Sequence, residues 1–400
     1  MSGVGRRDQP GDRIGPRPLA LHLAAAMSLN LPRAWPPSRS ASPIWSPDLR
    51  RLAAALDAHP PEAVAAALGR AAAERIGAFL DGVERYRAHP YRRSLTDPEP
   101  VWREGTAGLR AYGEGTGVPV LLVPSLVNRA TVLDLDAGSS LVRWLAAQGI
   151  DPYLLDWGAP GAEERTFTLT DYVAGRLERA LEAVRALRPD RRPAVLGYCM
   201  GGLLATALTQ RRAGDVAALA LLATPWDFHA DSTGHASLVA ACIPGVEACG
   251  EFPVDMIQAL FAVLDPFLVV RKFARFGRAG RDEAADRAFI ALEDWLNDGV
   301  PLAAPVAREC LAGWYGANTP GRGTWRIAGT VVDPGVLRLP TLAVLPSHDR
   351  IVPPASAHAL AAAIPGGRVL SPPLGHIGMV VGRRAPEAVW APLAKFLKDV

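Results

Sequence analysis

Cys199 stands in the run Gly197-Tyr198-Cys199-Met200-Gly201. This is the spacing of a nucleophile elbow, with cysteine in the serine position. A nucleophile on a sharp strand-to-helix turn needs small neighbours. Gly197 and Gly201 let strand and helix pass closely and tolerate a strained backbone. Such a turn aims the Met200 N–H at the place where an oxyanion would form. A buried cysteine before a glycine-rich turn would give the same five residues. What tells against that plainer reading is the pair Asp349 and His376 further along, in nucleophile, acid, base order. His376 is expected to take the thiol proton, and Asp349 to fix the imidazole tautomer. Positive charge on His376 favours the thiolate.

The second oxyanion donor is expected from the loop after Val123, where Leu126 and Val127 are the candidates and Val127 is taken; Asn128 would instead brace that loop. Asp227 also follows a strand end, but it comes earlier in the chain than the usual acid position. His348 reads as a neighbour of the acid and His358 as a helix-surface residue. His229 and His235 read as solvated residues of an insertion. No glycine-rich phosphate cradle precedes a Walker-type Lys-Ser/Thr, and Cys199, Cys242, Cys249 and Cys310 match no zinc spacing.

The elements that must hold these residues alternate between strand and helix. Val118–Val123 is a continuous apolar run, as in a central strand covered on both faces. Helix over 141–148, strand over 151–157, helix over 171–187, the elbow strand over 194–198 and a strand over 216–222 follow. After an interruption come a strand over 341–345, a helix over 356–364, a short strand at 368–370 and a closing helix over 385–397. The rhythm predicts an α/β domain with a mostly parallel sheet and helices on both faces. Asp349 and His376 each follow a strand, so both loops fall on the elbow's edge of the sheet.

Five segments are expected. Residues 1–47, rich in Pro, Ser, Arg and Gly, read as a flexible arm with one short helix near 19–29. Residues 48–99 are mainly helical, with the helix broken at Pro60-Pro61. Residues 100–227 open the core with a hairpin near Gly105. Residues 228–325 are an aromatic-rich helical insertion, read as a lid over the nucleophile. Residues 326–400 complete the core.

Hydrophobic residues make up 49% of the 400, enough for a sizeable core. Charge is nearly balanced, 43 basic against 40 acidic residues, so composition gives no sign of a nucleic-acid partner. No apolar run reaches the ~18 residues a spanning helix needs. A free cysteine nucleophile fits a reducing compartment, hence the cytoplasm.

Over about residues 100–400 the sequence resembles the polyhydroxyalkanoate synthases of the α/β-hydrolase superfamily, and most closely the short catalytic chain of the two-subunit type. The residues carrying the resemblance are Gly197 to Gly202, Val123-Pro124 through Asn128, Leu133-Asp134-Leu135, Asp156-Trp157 and Thr224 to Phe228. To these are added Asp265-Pro266-Phe267, Trp295 to Asp298, Asp349 to Pro353, and Gly375 to Gly378. The sequence departs from the family at Arg350, where histidine is common, and through its first 100 residues.

The resemblance implies an α/β-hydrolase fold with an inserted lid. It implies an acyltransferase polymerising (R)-3-hydroxyacyl-CoA through a thioester on Cys199, with CoA released and Asp349 helping to activate the hydroxyl. It implies no cofactor, since the CoA thioester is a substrate. The growing polyester is a partner, as is a second copy or a second synthase subunit, and the place of work is the cytoplasm or the surface of polyester granules. A thioesterase, esterase or polyester depolymerase on the same scaffold is the competing reading. A synthase-like acyltransferase that makes no polymer, or a noncatalytic granule-surface subunit, is the third.

Overall fold

The computed structural model of the chain describes residues 13–28, 46–230, 239–278 and 282–400. It divides into two compact units. One holds Arg92–Leu260 and Asp298–Val400, and the other holds the residues up to Tyr91 together with Phe261–Asn297.

The larger unit is built on an eight-stranded sheet. Its strands are β1 (Pro100–Glu104), β2 (Ala107–Ala111), β3 (Val118–Val123), β4 (Ile150–Asp156), β5 (Ala194–Tyr198), β6 (Leu219–Leu222), β7 (Thr341–Val344) and β8 (Arg368–Leu370). The spatial order is β1-β2-β4-β3-β5-β6-β7-β8. The hairpin β1–β2 and the β2–β4 pair are antiparallel, and every other pair is parallel. Strands β5, β6 and β7 are buried along their whole length, as expected for strands covered on both faces. Register brings Val123 opposite Gly197, Tyr198 opposite Leu222, and Leu222 and Leu370 opposite Val344. The chain therefore leaves β3, β5, β6, β7 and β8 at one edge, and the loops that follow gather there.

The helix over 171–187 begins as a π-helical turn, Asp171–Leu177, before Glu178–Leu187 continues as regular α-helix. The insertion after β6 is not purely helical. Glu251–Phe252 pairs with Leu302–Ala303 as a two-residue ribbon.

The smaller unit packs the long helix Pro61–Ala88 against Leu268–Gly277 and Glu283–Asn297. Tyr86, Phe79 and Phe289 surround Phe273 edge-on. The helix starts at Pro61 because Pro60-Pro61 ends the preceding helix, Pro47–Asp57, and proline suits a first helical position. Of the expected flexible arm, residues 13–28 are pinned instead. Arg13 forms an ion pair with Asp294 at 2.7 Å and donates to the carbonyls of His89 and Tyr91. Arg17 N–H donates to Asn297 at 2.9 Å, and His22 and Ala26 on the helix Leu19–Ser28 are buried. The rest of that arm lies outside the described residues. The expected lid is likewise divided between the two units, Phe261–Asn297 going with the N-terminal helices.

Candidate active site

β5 ends at Tyr198, and the helix Met200–Arg211 begins two residues later. Cys199 fills the corner with φ +54° and ψ −127°. A non-glycine residue there costs about 1–3 kcal/mol, and the surroundings must hold it. Two neighbours do so. Cys199 N–H donates to the Leu222 carbonyl at 2.9 Å, and Gly202 N–H donates back to the Cys199 carbonyl at 2.9 Å. Glycine at 201 and 202 is a matter of space. A Cβ at Gly201 would lie 2.1 Å from the Val123 carbonyl oxygen, and one at Gly202 would lie 1.8 Å from Thr224 Oγ1. The elbow helix can thus start hard against the ends of β3 and β6.

Cys199 is half-buried and packs on Ala343, Leu345, Val352, Ala357 and Ala361, the apolar cluster beneath the acid loop. Asp349 is buried, and each of its oxygens is used. Oδ1 accepts from Ile351 N–H at 2.8 Å and from Val352 N–H at 2.9 Å. Oδ2 accepts from His376 Nδ1 at 2.7 Å. That bond fixes the proton of Nδ1 and leaves Nε2 for the second contact of His376, its hydrogen bond with the Cys199 thiol. The Tyr198 ring lies 5.2 Å from the imidazole, and its hydroxyl donates to the His376 carbonyl at 3.3 Å.

Burial works against a charge on His376. The negative charge of Cys199, the hydrogen bonds with Asp349 and Cys199, and the Asp349 charge outweigh it and raise the imidazole from 6.5 to about 10. His376 therefore keeps its proton through neutral pH. Cys199, His376 and Asp349, from three separate loops, thus form one relay, an arrangement suited to acyl transfer through a thioester.

The loop after β3 closes the other side. Trp157 Nε1 donates to the Pro124 carbonyl at 3.0 Å, and Val300 N–H donates to the Val127 carbonyl at 3.1 Å. Leu126 lines a small cavity with Trp157, Tyr172 and Val300. Val127 N–H, the expected second oxyanion donor, donates to Ser125 Oγ at 3.3 Å. Asn128 forms a lone backbone bridge with Gly299, which fits the bracing alternative. Met200 N–H is the first of the elbow helix and has no intrahelical acceptor.

The other candidates lie apart from this relay. His348 and His358 are exposed. Asp227 Oδ1 accepts from His229 N–H at 2.9 Å and Asn318 Nδ2 at 2.8 Å, so it ties two segments together. His229, expected to be solvated, instead donates from Nε2 to the Tyr315 carbonyl at 2.8 Å. His235 lies outside the described residues. All four cysteines are free thiols. Sequence reasoning missed Tyr315, a half-buried phenol close enough to Cys199 for the thiolate to raise its pKa further, after burial. The only available signal was the density of aromatic residues in the insertion.

The parallel sheet, the elbow after its fifth strand and the two later loops define an α/β hydrolase. The family model for the alpha/beta hydrolase fold matches residues 118–237. The fold also matches the putative non-heme bromoperoxidase BpoC of Mycobacterium tuberculosis H37Rv, with a TM-score of 0.50 at 19% identity, over 78% of this chain and 99% of that one. The sequence is 31% identical over 340 residues to the poly(3-hydroxyalkanoate) polymerase subunit PhaC of Synechocystis, covering 80% of this chain and 90% of that one. It is 29% identical to the PhaC subunit of Haloferax mediterranei, covering 76% of this chain and 64% of that one. The chain belongs to the poly(3-hydroxyalkanoate) polymerase PhaC family.

Proposed function

We propose that this protein is an acyltransferase that polymerises (R)-3-hydroxyacyl-CoA. The observation that carries the reading is the buried line from Cys199 through His376 to Asp349 in a member of the PhaC family. In the first step His376 Nε2 already holds the Cys199 proton. The thiolate attacks the thioester carbon, the carbon–sulfur bond to CoA breaks, and CoA leaves with the proton from His376. The tetrahedral oxyanion is held by the N–H groups of Met200 and Val127, the latter exchanging Ser125 Oγ for the oxyanion.

In the second step a 3-hydroxyl oxygen attacks the acyl carbon on Cys199. Its proton goes to His376 Nε2, an ester bond forms, and the Cys199 thiolate departs. Exchange of one thioester for another is close to balanced in energy, so the acyl group stays activated until the hydroxyl arrives. Asp349 keeps the imidazole oriented in both steps. The product is an insoluble polyester, and an enzyme holding its growing end covalently works at the polymer surface. No helix among the described residues is long and apolar enough to cross a membrane. A second copy or a second synthase subunit belongs to the same proposal, tested by light scattering with and without substrate.

The test follows CoA release and insoluble polyester together after addition of (R)-3-hydroxybutyryl-CoA. Both should rise in proportion. CoA release with only free hydroxy acid would make the protein a thioesterase.

A further inference from the structure

Tyr198 is the last residue of β5, and the chain turns into the elbow immediately after it. Its side chain is buried and runs from the residue next to the nucleophile to the loop that carries the base. The hydroxyl donates to the His376 carbonyl at 3.3 Å. The ring lies 5.2 Å from the imidazole, with 33° between the two planes. The carbonyl is open to this bond because the helix that follows, Gly378–Val381, does not turn on it. Val380 and Val381 N–H both donate to the Ile377 carbonyl, at 3.0 Å. A buried phenol normally finds a polar partner, and among the described residues this carbonyl is the one it finds.

The acid holds the base in a different way. His348 N–H donates to the Leu374 carbonyl at 3.0 Å, and Asp349 Oδ2 accepts from His376 Nδ1 at 2.7 Å. Both bonds align the base loop with the acid loop, and neither reaches the elbow. An imidazole held at Nδ1 alone can still pivot about that bond, and a pivot swings Nε2 away from the thiol. A ring this close, and only 33° from parallel, blocks the pivot. The bond to the His376 carbonyl fixes the main chain from which the imidazole projects.

We infer that Tyr198 is a positioning residue that keeps the base in register with the nucleophile, by tying the main chain and ring of His376 to the residue beside Cys199. This role concerns formation of the thiolate, so it goes beyond the acyl-transfer reading and does not depend on which thioester is the substrate. The titratable groups that face Cys199 and His376 are each other, Asp349 and the phenols of Tyr198 and Tyr315. Burial first, and then nearby negative charge, pushes both phenols up, so they stay neutral. Tyr198→Phe therefore removes one hydrogen bond, keeps the ring and changes no charge.

The experiment measures the rate of Cys199 alkylation by iodoacetamide against pH, read on the peptide carrying Cys199, in wild type and Tyr198→Phe. With the base out of register, less of the thiol is ionised at neutral pH. The variant's profile should move to higher pH by about 0.5–1 pH unit, which corresponds to one hydrogen bond. In CoA release from (R)-3-hydroxybutyryl-CoA, kcat should fall about 3- to 10-fold with KM within about twofold of wild type. A merely structural role would reduce the number of reactive Cys199 thiols and leave the profile in place, and that result would overturn the inference. A raised KM at unchanged kcat would overturn it too, assigning the hydroxyl to substrate binding. The alkylation measurement needs no acyl substrate. A wild type that releases no CoA would therefore refute the acyl-transfer reading, while the profile still decides the role of Tyr198.

Discussion

His376 is where the chemistry of the site is most exposed to measurement. Its Nδ1 is committed to Asp349, and its pKa of about 10 comes from negative charge on Cys199 as well as on Asp349, against the pull of burial. The folded value lies above the unfolded 6.5. The stability that this pairing contributes is therefore full below about pH 6.5 and lost as pH rises through about 10. Cys199→Ala removes one of the two negative charges, so the His376 titration should move to lower pH. NMR of ring-labelled histidine across the pH range reads this directly. An unmoved titration would mean that Asp349 alone holds the proton on the imidazole. At this scale the sequence was most informative. Cys199, Asp349 and His376 each sit in a short local pattern, and a local pattern survives without knowledge of the fold. Tyr315 has no such pattern. Its place depends on Asn318 meeting Asp227 across 91 positions of chain.

The elbow is the element on which this geometry depends, and its glycines are filled space waiting to be tested. The Cβ of Gly201→Ala would need the Val123 carbonyl, a backbone group of a central strand, to give way. The substitution should destabilise the larger unit by on the order of 3 kcal/mol and slow Cys199 alkylation. Gly214→Ala, where an added Cβ meets nothing, is the matched control and should leave both unchanged. Urea unfolding and alkylation rates measured side by side decide it, and equal behaviour of the two variants would count against this picture of the turn. The alternation of strands and helices was legible because each parallel strand is a continuous apolar run ending in a turn signal. The two-residue ribbon of Glu251–Phe252 with Leu302–Ala303 was not, because so short a pairing has no period of its own.

Across the whole molecule, the division into two units follows contacts rather than chain order. Residues 48–99 and 228–325 read as separate segments in sequence, yet Phe261–Asn297 packs with Pro61–Ala88. Helical periodicity shows that each segment has an apolar face and not which partner covers it. The N-terminal stretch was the least legible part. Its Pro, Arg and Gly content reads as a loose arm, while Arg13 spans Asp294 and two carbonyls with a side chain only 7% exposed. Arg13→Ala should lower the stability of the smaller unit by about 2 kcal/mol, since it removes a charge-assisted cluster. Amide exchange should quicken in Pro61–Ala88 and Glu283–Asn297. Unchanged exchange in those helices would show that the strap is dispensable.

The most direct test of the account is the covalent intermediate itself. The protein is mixed with (R)-3-hydroxybutyryl-CoA, quenched in acid within a turnover, and its intact mass and peptide masses are read. The account predicts an added hydroxyacyl group on the peptide carrying Cys199 in wild type, and none in Cys199→Ala, with Cys242, Cys249 and Cys310 unmodified. Continued CoA release by Cys199→Ala, or an acyl group on another cysteine, would contradict it.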